Sequence, residues 1–262
     1  MTASRQVAAS ATAPDVVGLD GLLLSMADDE FVIGFSDSEW TGIAPMLEED
    51  VAMSSLSQDE LGHASALYAL LAEVSGIDAD ALAYDREPAD YRHARLLDHG
   101  RGDWAMTIAR RYLYETSDAV RLEALAGGSW RPLAELTGKL QREERYHTMH
   151  IDAWFQRLAR ADGEPRERLL AALESLGPDA GTVFTPLPDE PALIAAGVLA
   201  RPMAALERDW RSRMAASFAN LDLPALPATA EPARGRSDHG DAFTWLHGEF
   251  TMVRRSDAGA TW

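Results

Sequence analysis

The segment SQDELGH, residues 57–63, places Glu60 three residues before His63. Apolar residues around this segment recur with the period of a helix, which predicts a helix over residues 45–74. Residues three apart lie on one face of a helix, so both side chains can point to the same side. Glu-x-x-His is a spacing found at metal sites, but a single copy is a weak indication because the pattern is common by chance.

A second Glu-x-x-His pair occurs in EERYH, residues 143–147, with Glu144 and His147. This pair lies in a predicted helix that runs from residue 131 to about residue 161. Two such motifs on two helices of a bundle form half of a di-iron carboxylate site, and the other half is one Glu from each remaining helix. The two motifs together therefore predict a metal site, which either motif alone would not.

Two further long helices are predicted over residues 18–40 and 103–126. Asp103 is a favourable N-cap for the second of them, and only a few residues separate its end from the helix that begins at residue 131. Such a short connection indicates antiparallel neighbours. Because strand patterns are weak, we predict an all-α fold built on a bundle of four helices.

Each of these two helices has one glutamate at a matching position. Glu30 lies 30 residues before Glu60, and Glu115 lies 29 residues before Glu144. In an antiparallel hairpin, two residues at equal depth are separated by twice their distance to the turn. Both carboxylates of each pair thus lie about 15 residues, or about 22 Å, from the turn. The matched spacings predict a site with pseudo-two-fold symmetry, to which each hairpin gives Glu plus Glu-x-x-His.

The predicted metal ligands are Glu30, Glu60, His63, Glu115, Glu144 and His147. Four carboxylates and two neutral imidazoles neutralise much of the charge of two ferrous or ferric ions, and this mixed ligand set suits iron or manganese. Dioxygen would take the open positions on the metals.

Two of these ligand assignments have competitors. Asp118 lies one turn from Glu115 and is an alternative ligand. On the first helix Glu30 competes with three other acids, none of which has the matched spacing: Asp28, Asp29 and Glu39.

Three residues next to the ligands have two interpretations each. Asp59 and Glu143 each precede a predicted ligand glutamate, and they either accept hydrogen bonds from the ligand imidazoles or are solvated acids on a helix face. Gly62 lies between Glu60 and His63, where glycine is less favourable than alanine by roughly 1 kcal/mol. It predicts close helix packing at this point, or space beside the metal.

Other basic residues are best interpreted as ordinary surface, helix and loop charges, although a second role is open for them. His150 could assist His147 at the site. Five more could bind an anionic substrate: Arg92, His93, Arg95, Arg110 and Arg111.

The composition limits the function. The chain has 262 residues, of which 47% are hydrophobic and none is cysteine. A sizeable core is possible, whereas disulfides, zinc–thiolate sites, iron–sulfur clusters and cysteine nucleophiles are excluded. The net charge of −18 disfavours nucleic acid as a partner, because phosphate binding needs a basic face. No apolar run reaches the length of about 18 residues that a membrane span requires, so we expect a soluble cytoplasmic protein.

The chain is predicted to consist of a disordered N-terminal tail, residues 1–16, and a single domain, residues 17–262. Within this domain we expect a core bundle at about 18–161 and a C-terminal helical extension at about 165–262. A polar stretch at 77–102 joins the two helix pairs of the bundle.

The extension is predicted to be mainly helical. Its segment 221–240 is rich in proline and alanine and predicts a loop or tether. Helices are expected near residues 166–175, 191–219 and 241–255.

Several segments resemble a known protein family. EFVIGFSDSEWTGIAP (30–45), followed by SQDELGH, is similar to the ferritin-like subunits of the bacterial phenylacetyl-CoA 1,2-epoxidase. IARRYLYETSDAV (108–120) and REERYH (142–147) continue the match in the same order. The C-terminal GEFTMVRRSDAGATW (248–262) resembles the tail of the non-catalytic, structural subunit of that complex. The resemblance covers about residues 20–160 and, less closely, 238–262.

The resemblance implies a ferritin-like four-helix bundle with additional C-terminal helices, and a place in a multicomponent monooxygenase. In that family a catalytic subunit uses a di-iron centre and dioxygen to epoxidise the ring of phenylacetyl-CoA. A related structural subunit pairs with it, and a reductase with flavin and an iron–sulfur cluster delivers electrons. The structural subunit typically lacks a full ligand set, whereas the six predicted ligands of this chain match the ligand positions of the catalytic subunit.

We therefore expect a subunit of a di-iron oxygenase with two Fe ions (or Mn), O2 as co-substrate and an external electron donor. Its expected partners are a related ferritin-like subunit, in a homo- or heterodimer, a reductase, and an acyl-CoA or aromatic small molecule as substrate. The alternative is a metal-free structural subunit that pairs with a catalytic di-iron subunit in phenylacetate catabolism. Iron storage would require a cage-like oligomer, and the long C-terminal third argues against it.

Overall fold

The computed structural model describes residues 16–257, and every regular element in this part of the chain is helical. The predicted all-α class is therefore confirmed. The α-helices of this part are, in chain order, α1 (Leu19–Ser38), α2 (Leu47–Ser75), α3 (Ala79–Tyr84), α4 (Trp104–Leu125), α5 (Arg131–Ala159), α6 (Glu164–Leu176), α7 (Glu190–Ala195), α8 (Met203–Asn220) and α9 (Asp241–Ser256).

The four long predicted helices are present as α1, α2, α4 and α5, and their ends lie within two residues of the predicted ends. Asp103 is the N-cap of α4, and its Oδ1 accepts a hydrogen bond from the backbone N–H of Met106 at 2.9 Å. Gly76 ends α2 with a φ of 73°, a conformation that glycine adopts without strain. Local periodicity and capping residues thus account for the core of the bundle.

The bundle consists of two helical hairpins, α1–α2 and α4–α5, which pack against each other around a common core. Helix α1 is buried on nearly all sides, and its apolar residues include Leu22, Met26 and Ile33, none of which is exposed. Trp40 packs edge-on against Trp104 with ring centroids 5.0 Å apart, which closes one end of the core.

Two predicted segments differ from the structure. The polar stretch 77–102 contains the short helix α3 and two turns of 3₁₀-helix, Pro88–Asp90 and Arg95–Asp98. The helix predicted over 191–219 is divided into α7 and α8. Gly197 adopts a φ of 71° between them, and Pro202, which has no N–H to donate, stands as the N-cap of α8. The presence of Gly197 and Pro202 in the sequence already indicates that the helix is interrupted here.

The segment 221–240 has no α-helix, but it is not a free tether. Arg236 is 6% exposed and donates to both oxygens of the Asp29 carboxylate, at 2.9 Å each. It also donates to the backbone carbonyls of Arg92 and Val183, at 2.8 Å each. This arginine fixes the C-terminal segment to α1 and to the loop that follows α3.

The predicted tail at residues 1–16 lies outside the described residues, apart from Val16, which packs against the core. The single domain over 17–262 stays a prediction. Among residues 16–257, the helices are all too short or too polar to cross a bilayer.

The interpretation of Gly62 is wrong. Gly62 is exposed, and a Cβ placed on it would meet nothing within 4 Å, so it provides neither close helix packing nor space at the site. The close approach occurs instead at Gly34 of α1. A Cβ there would lie 3.0 Å from Leu61 Cγ and 3.1 Å from Glu60 Cβ. Gly34 therefore lets α1 approach α2 directly beside Glu60.

We expect Gly34→Val to destabilise the protein by about 1–3 kcal/mol, because the added side chain overpacks the contact between α1 and α2. The matched control is Gly62→Ala, which is expected to stabilise by about 0.5–1 kcal/mol through helix propensity alone. Urea unfolding of both variants measures these changes. Equal effects of the two substitutions would show that Gly34 has no special role in packing.

Candidate metal centre

The six predicted ligands lie together in one buried cluster, which we call the carboxylate–histidine cluster. Helices α1 and α4 provide one glutamate each, while α2 and α5 each provide Glu-x-x-His. The residues are all at most 7% exposed, and they are Glu30, Glu60, His63, Glu115, Glu144 and His147. All six residues thus lie at one level of the bundle, as their spacing within the two hairpins predicts.

The cluster divides into two overlapping groups, each with ligand atoms that lie within 4.8 Å of one another. Position one consists of Glu30, Glu60, His63 and Glu144. Position two consists of Glu60, Glu115, Glu144 and His147. Because Glu60 and Glu144 belong to both positions, each of them could bridge two ions. The arrangement has the pseudo-two-fold symmetry that the sequence spacing predicts.

The two imidazoles turn Nδ1 toward the carboxylates. His63 Nδ1 lies 3.4 Å from Glu60 Oε2 and 3.2 Å from Glu144 Oε1. His147 Nδ1 lies 3.4 Å from Glu60 Oε1 and 3.4 Å from Glu144 Oε2. Metal–nitrogen and metal–oxygen bonds of about 2.0–2.2 Å place two ligands of one ion roughly 3–3.5 Å apart. The spacing of these atoms therefore fits a metal ion at each position.

Each of the six residues also keeps one buried atom without a hydrogen-bond partner. Buried polar atoms are normally paired, so orphaned atoms in one place require an explanation. Here they are Glu30 Oε2, Glu60 Oε2, His63 Nδ1, Glu115 Oε2, Glu144 Oε1 and His147 Nδ1. One free donor atom on every member of the cluster is what metal coordination would use.

The opposite nitrogen of each imidazole bonds to a more exposed acid. His63 Nε2 lies 3.0 Å from Glu143 Oε2, and His147 Nε2 lies 3.2 Å from Asp59 Oδ2. Each bond crosses between α2 and α5, so the acid belongs to the helix opposite its histidine. An N–H on Nε2 that donates to a carboxylate leaves the lone pair on Nδ1, which is the tautomer that a metal-ligating histidine needs.

Burial and neighbouring charges move the pKa values of the cluster carboxyls in different directions. Burial, followed by repulsion from Glu60, raises the pKa of Glu30 well above its ordinary value. Burial also raises the pKa of Glu115 strongly, although Arg111 opposes this shift. Burial alone would raise the pKa of Glu60, but Arg111 and the two imidazoles hold it well below the ordinary value.

The imidazoles have raised pKa values. Burial alone would lower the pKa of His147, but the carboxylates of Glu144 and Glu60 raise it to about 11. The same carboxylates, together with Glu30, raise the pKa of His63 as well. Without metal, protons on the two rings therefore supply part of the positive charge that the buried carboxylates require.

Sequence reasoning missed one cation at the cluster, the fully buried guanidinium of Arg111. Its Nη1 donates to Asp37 Oδ2 at 2.8 Å, and its Nε and Nη2 donate to Glu115 Oε1 at 3.0 and 2.6 Å. Nη2 also donates to Glu60 Oε1. The spacing of four residues between Arg111 and Glu115 on α4 was a signal for part of this contact.

The alternative ligand Asp118 lies in a different environment. Its Oδ1 accepts from Arg121 Nε at 2.7 Å, and burial raises the pKa of Asp118 to about 6. Arg121 also donates to Asp29 Oδ2 at 2.5 Å. Among the described residues, both four-residue groups omit Asp118, whereas Glu115 belongs to position two. Glu115 therefore stays the proposed ligand.

The other basic residues bond to acceptors within the chain. Arg110 is fully buried and donates to Asp37 Oδ1 at 2.7 Å. His150 lies outside the cluster, with its Nε2 2.9 Å from Glu49. The remaining pairs are Arg95 with Asp179, His93 with Asp98, and Arg92 with the carbonyls of Ala89 and Tyr91. Arg110 and His93 are fully buried, so these two are not ordinary surface charges.

Comparison with known proteins agrees with the resemblance found in the sequence. The chain is 27% identical over 209 residues to one of the subunits of the 1,2-phenylacetyl-CoA epoxidase of Escherichia coli (strain K12), a match that covers 79% of this chain and 84% of that protein. The model of the phenylacetic acid catabolic protein family matches residues 8–262. Since this match spans nearly the whole chain, the chain belongs to the phenylacetic acid catabolic protein family.

Proposed function

We propose that this protein is a di-iron subunit of a multicomponent monooxygenase of the phenylacetyl-CoA epoxidase type. The observation that supports it most directly is the complete cluster of six candidate ligands, each with one buried atom that has no hydrogen-bond partner. The relative in Escherichia coli is by name a subunit of an epoxidase, which supports the reaction class.

Glu60 and Glu144 would help to hold both iron ions, because they alone belong to both positions. Glu30 and His63 would complete position one, and Glu115 and His147 would complete position two. Two iron ions held there would supply the reductive activation of dioxygen with electrons from an external donor. One oxygen atom would enter the substrate and the other would leave as water, which consumes two electrons and two protons.

The protein residues around the cluster would orient the ligands and exclude water. Glu143 and Asp59 hold the two imidazole rings by their Nε2 atoms, so Nδ1 of each ring stays directed at the cluster. Tyr114, which is buried, donates its hydroxyl to Glu30 Oε1 at 3.0 Å and fixes that carboxylate. The substrate would be an aromatic ring or an acyl-CoA thioester, and the partners a related ferritin-like subunit and a reductase.

Metal content is the first test. After anaerobic reconstitution with ferrous iron we expect about two iron ions per chain, and after exposure to air an absorption band of an oxo-bridged ferric pair. Chemically reduced protein, mixed with phenylacetyl-CoA and ¹⁸O₂, should then yield a product with one labelled oxygen. If no iron binds, the di-iron function is wrong. The protein would then be a structural subunit, and co-purification with a related catalytic subunit would test that role.

A further inference from the structure

The two metal positions differ in the partner of their unshared carboxylate. Glu30 of position one accepts a hydrogen bond from the neutral phenol of Tyr114 at 3.0 Å. Glu115 of position two accepts from the Arg111 guanidinium, whose Nη2 lies 2.6 Å from Oε1. The phenol of Tyr114 is neutral, whereas a guanidinium cannot be deprotonated in a protein and places a permanent positive charge beside the Glu115 carboxylate.

The shared carboxylate of Glu60 has the same asymmetry. Its Oε1 faces position two, 3.4 Å from His147 Nδ1, and this is the oxygen that accepts from Arg111. Its Oε2 faces position one, 3.4 Å from His63 Nδ1, and has no hydrogen-bond partner. Both cluster oxygens that accept from Arg111, Glu60 Oε1 and Glu115 Oε1, therefore belong to position two.

Arg111 cannot easily move away from these oxygens. Asp37 is fully buried and accepts from Arg111 Nη1 at 2.8 Å, and its other oxygen is held by Arg110 at 2.7 Å. The guanidinium is thus fixed on one side by Asp37 and on the other by Glu60 and Glu115. Near position one the guanidinium of Arg121 reaches only the hydroxyl of Tyr114, at 3.5 Å, whereas Arg111 contacts two carboxylates of position two directly. A divalent ion at position two would therefore meet a permanent positive charge more closely than an ion at position one.

We propose that the two positions load in order. Position one binds metal more tightly and fills first, and Arg111 is a positioning residue that weakens binding at position two. This inference rests on the proposed di-metal site and adds the order of its loading. The asymmetry would make a singly loaded protein the main species when metal is scarce.

Manganese(II) titration, with free Mn²⁺ counted by electron paramagnetic resonance, tests the order on the full chain. The wild-type protein should bind about two ions in two steps that differ in Kd by about 10- to 100-fold. Glu30→Gln and Glu115→Gln form a matched pair, since each removes one unshared carboxylate and keeps its shape. Glu115→Gln should retain the tight step, while Glu30→Gln should lose it and bind only weakly.

Arg111→Gln should tighten the second step by about 10-fold or more and so bring the two steps together. Arg95→Gln is the control, because Arg95 pairs with Asp179 and contacts none of the six cluster residues, and it should leave both steps unchanged. If Arg111→Gln does not fold, the comparison of Glu30→Gln with Glu115→Gln tests the loading order without it. Equal binding by these two variants, or a tight step retained only in Glu30→Gln, would overturn the loading order. A wild-type chain that binds no metal would overturn the proposed di-metal site together with it.

Discussion

The Glu60→Ala variant is expected to bind essentially no iron, whereas we expect the wild-type chain to bind about two ions. Glu60 belongs to both positions of the cluster, so its removal takes a ligand from each ion at once. The helices should persist, because the substitution removes one of several buried carboxylates that repel one another, and Arg111 keeps Asp37 and Glu115 as partners. Iron per chain, measured after ferrous reconstitution together with circular dichroism, checks both statements.

A second ligand variant and a control variant test whether the loss of iron is specific to the cluster. His147→Ala removes a ligand of position two directly and should also prevent assembly of the pair of ions. Glu39→Ala is the control, since Glu39 lies at the end of α1 and pairs with Arg101 at 3.3 Å, away from the cluster. It should retain normal loading. Normal iron content in both Glu60→Ala and His147→Ala would show that the cluster is not the metal site.

Asp29→Asn is expected to destabilise the protein by about 3–5 kcal/mol, as is typical when one partner of a buried ion pair is removed. The fully buried carboxylate of Asp29 accepts from Arg121, Arg236 and the backbone N–H of Ala94. Asparagine would leave the buried guanidinium of Arg236 without its paired carboxylate, and Arg121 would keep only its pair with Asp118. Urea unfolding of the metal-free protein measures the loss.

The control for Asp29→Asn is Glu123→Ala, which breaks the exposed pair with Arg213 and should change stability by less than about 1 kcal/mol. A similarly small effect of Asp29→Asn would mean that the buried pair adds little.

The pH dependence of stability provides a second check on the role of Asp29. Burial alone would raise the pKa of Asp29, but Arg236 and Arg121 lower it below its ordinary value. The stabilisation from Asp29 is therefore present above that ordinary value and is lost as the pH falls through the folded-state pKa.

The features that the sequence predicts well are those that depend on local pattern. Helix period and capping residues locate α1, α2, α4 and α5, and hairpin geometry converts the spacing of Glu30 and Glu60 into equal depth. The glycines could also have been interpreted from the period. Gly34 follows Glu30 by four residues and so shares its face, whereas Gly62 follows Glu60 by two and lies on the opposite face.

The features that the sequence does not predict depend on contacts between distant segments. Arg236 lies 207 residues after Asp29, and no local pattern indicates that they meet. The contact of Arg111 with Glu60 likewise joins α4 to α2 and depends on how the two hairpins dock. For the same reason the sequence could not distinguish Asp118 from Glu115, because one turn on α4 separates a residue beside Arg121 from a residue beside Arg111.

The crossed hydrogen bonds between α2 and α5 have a consequence for assembly. The Nε2 atom of His63 bonds to Glu143 of the other hairpin, and that of His147 bonds to Asp59. Neither hairpin alone therefore contains both a ligand histidine and the acid that orients its ring. Each position also includes a shared glutamate from the opposite hairpin. An ion held there would act as a cross-link between the two hairpins, because its ligands come from both. During refolding, the rate of metal uptake would then follow the docking of the two hairpins. Removal of the metal by a chelator would weaken the contact between α2 and α5 before either hairpin unfolded.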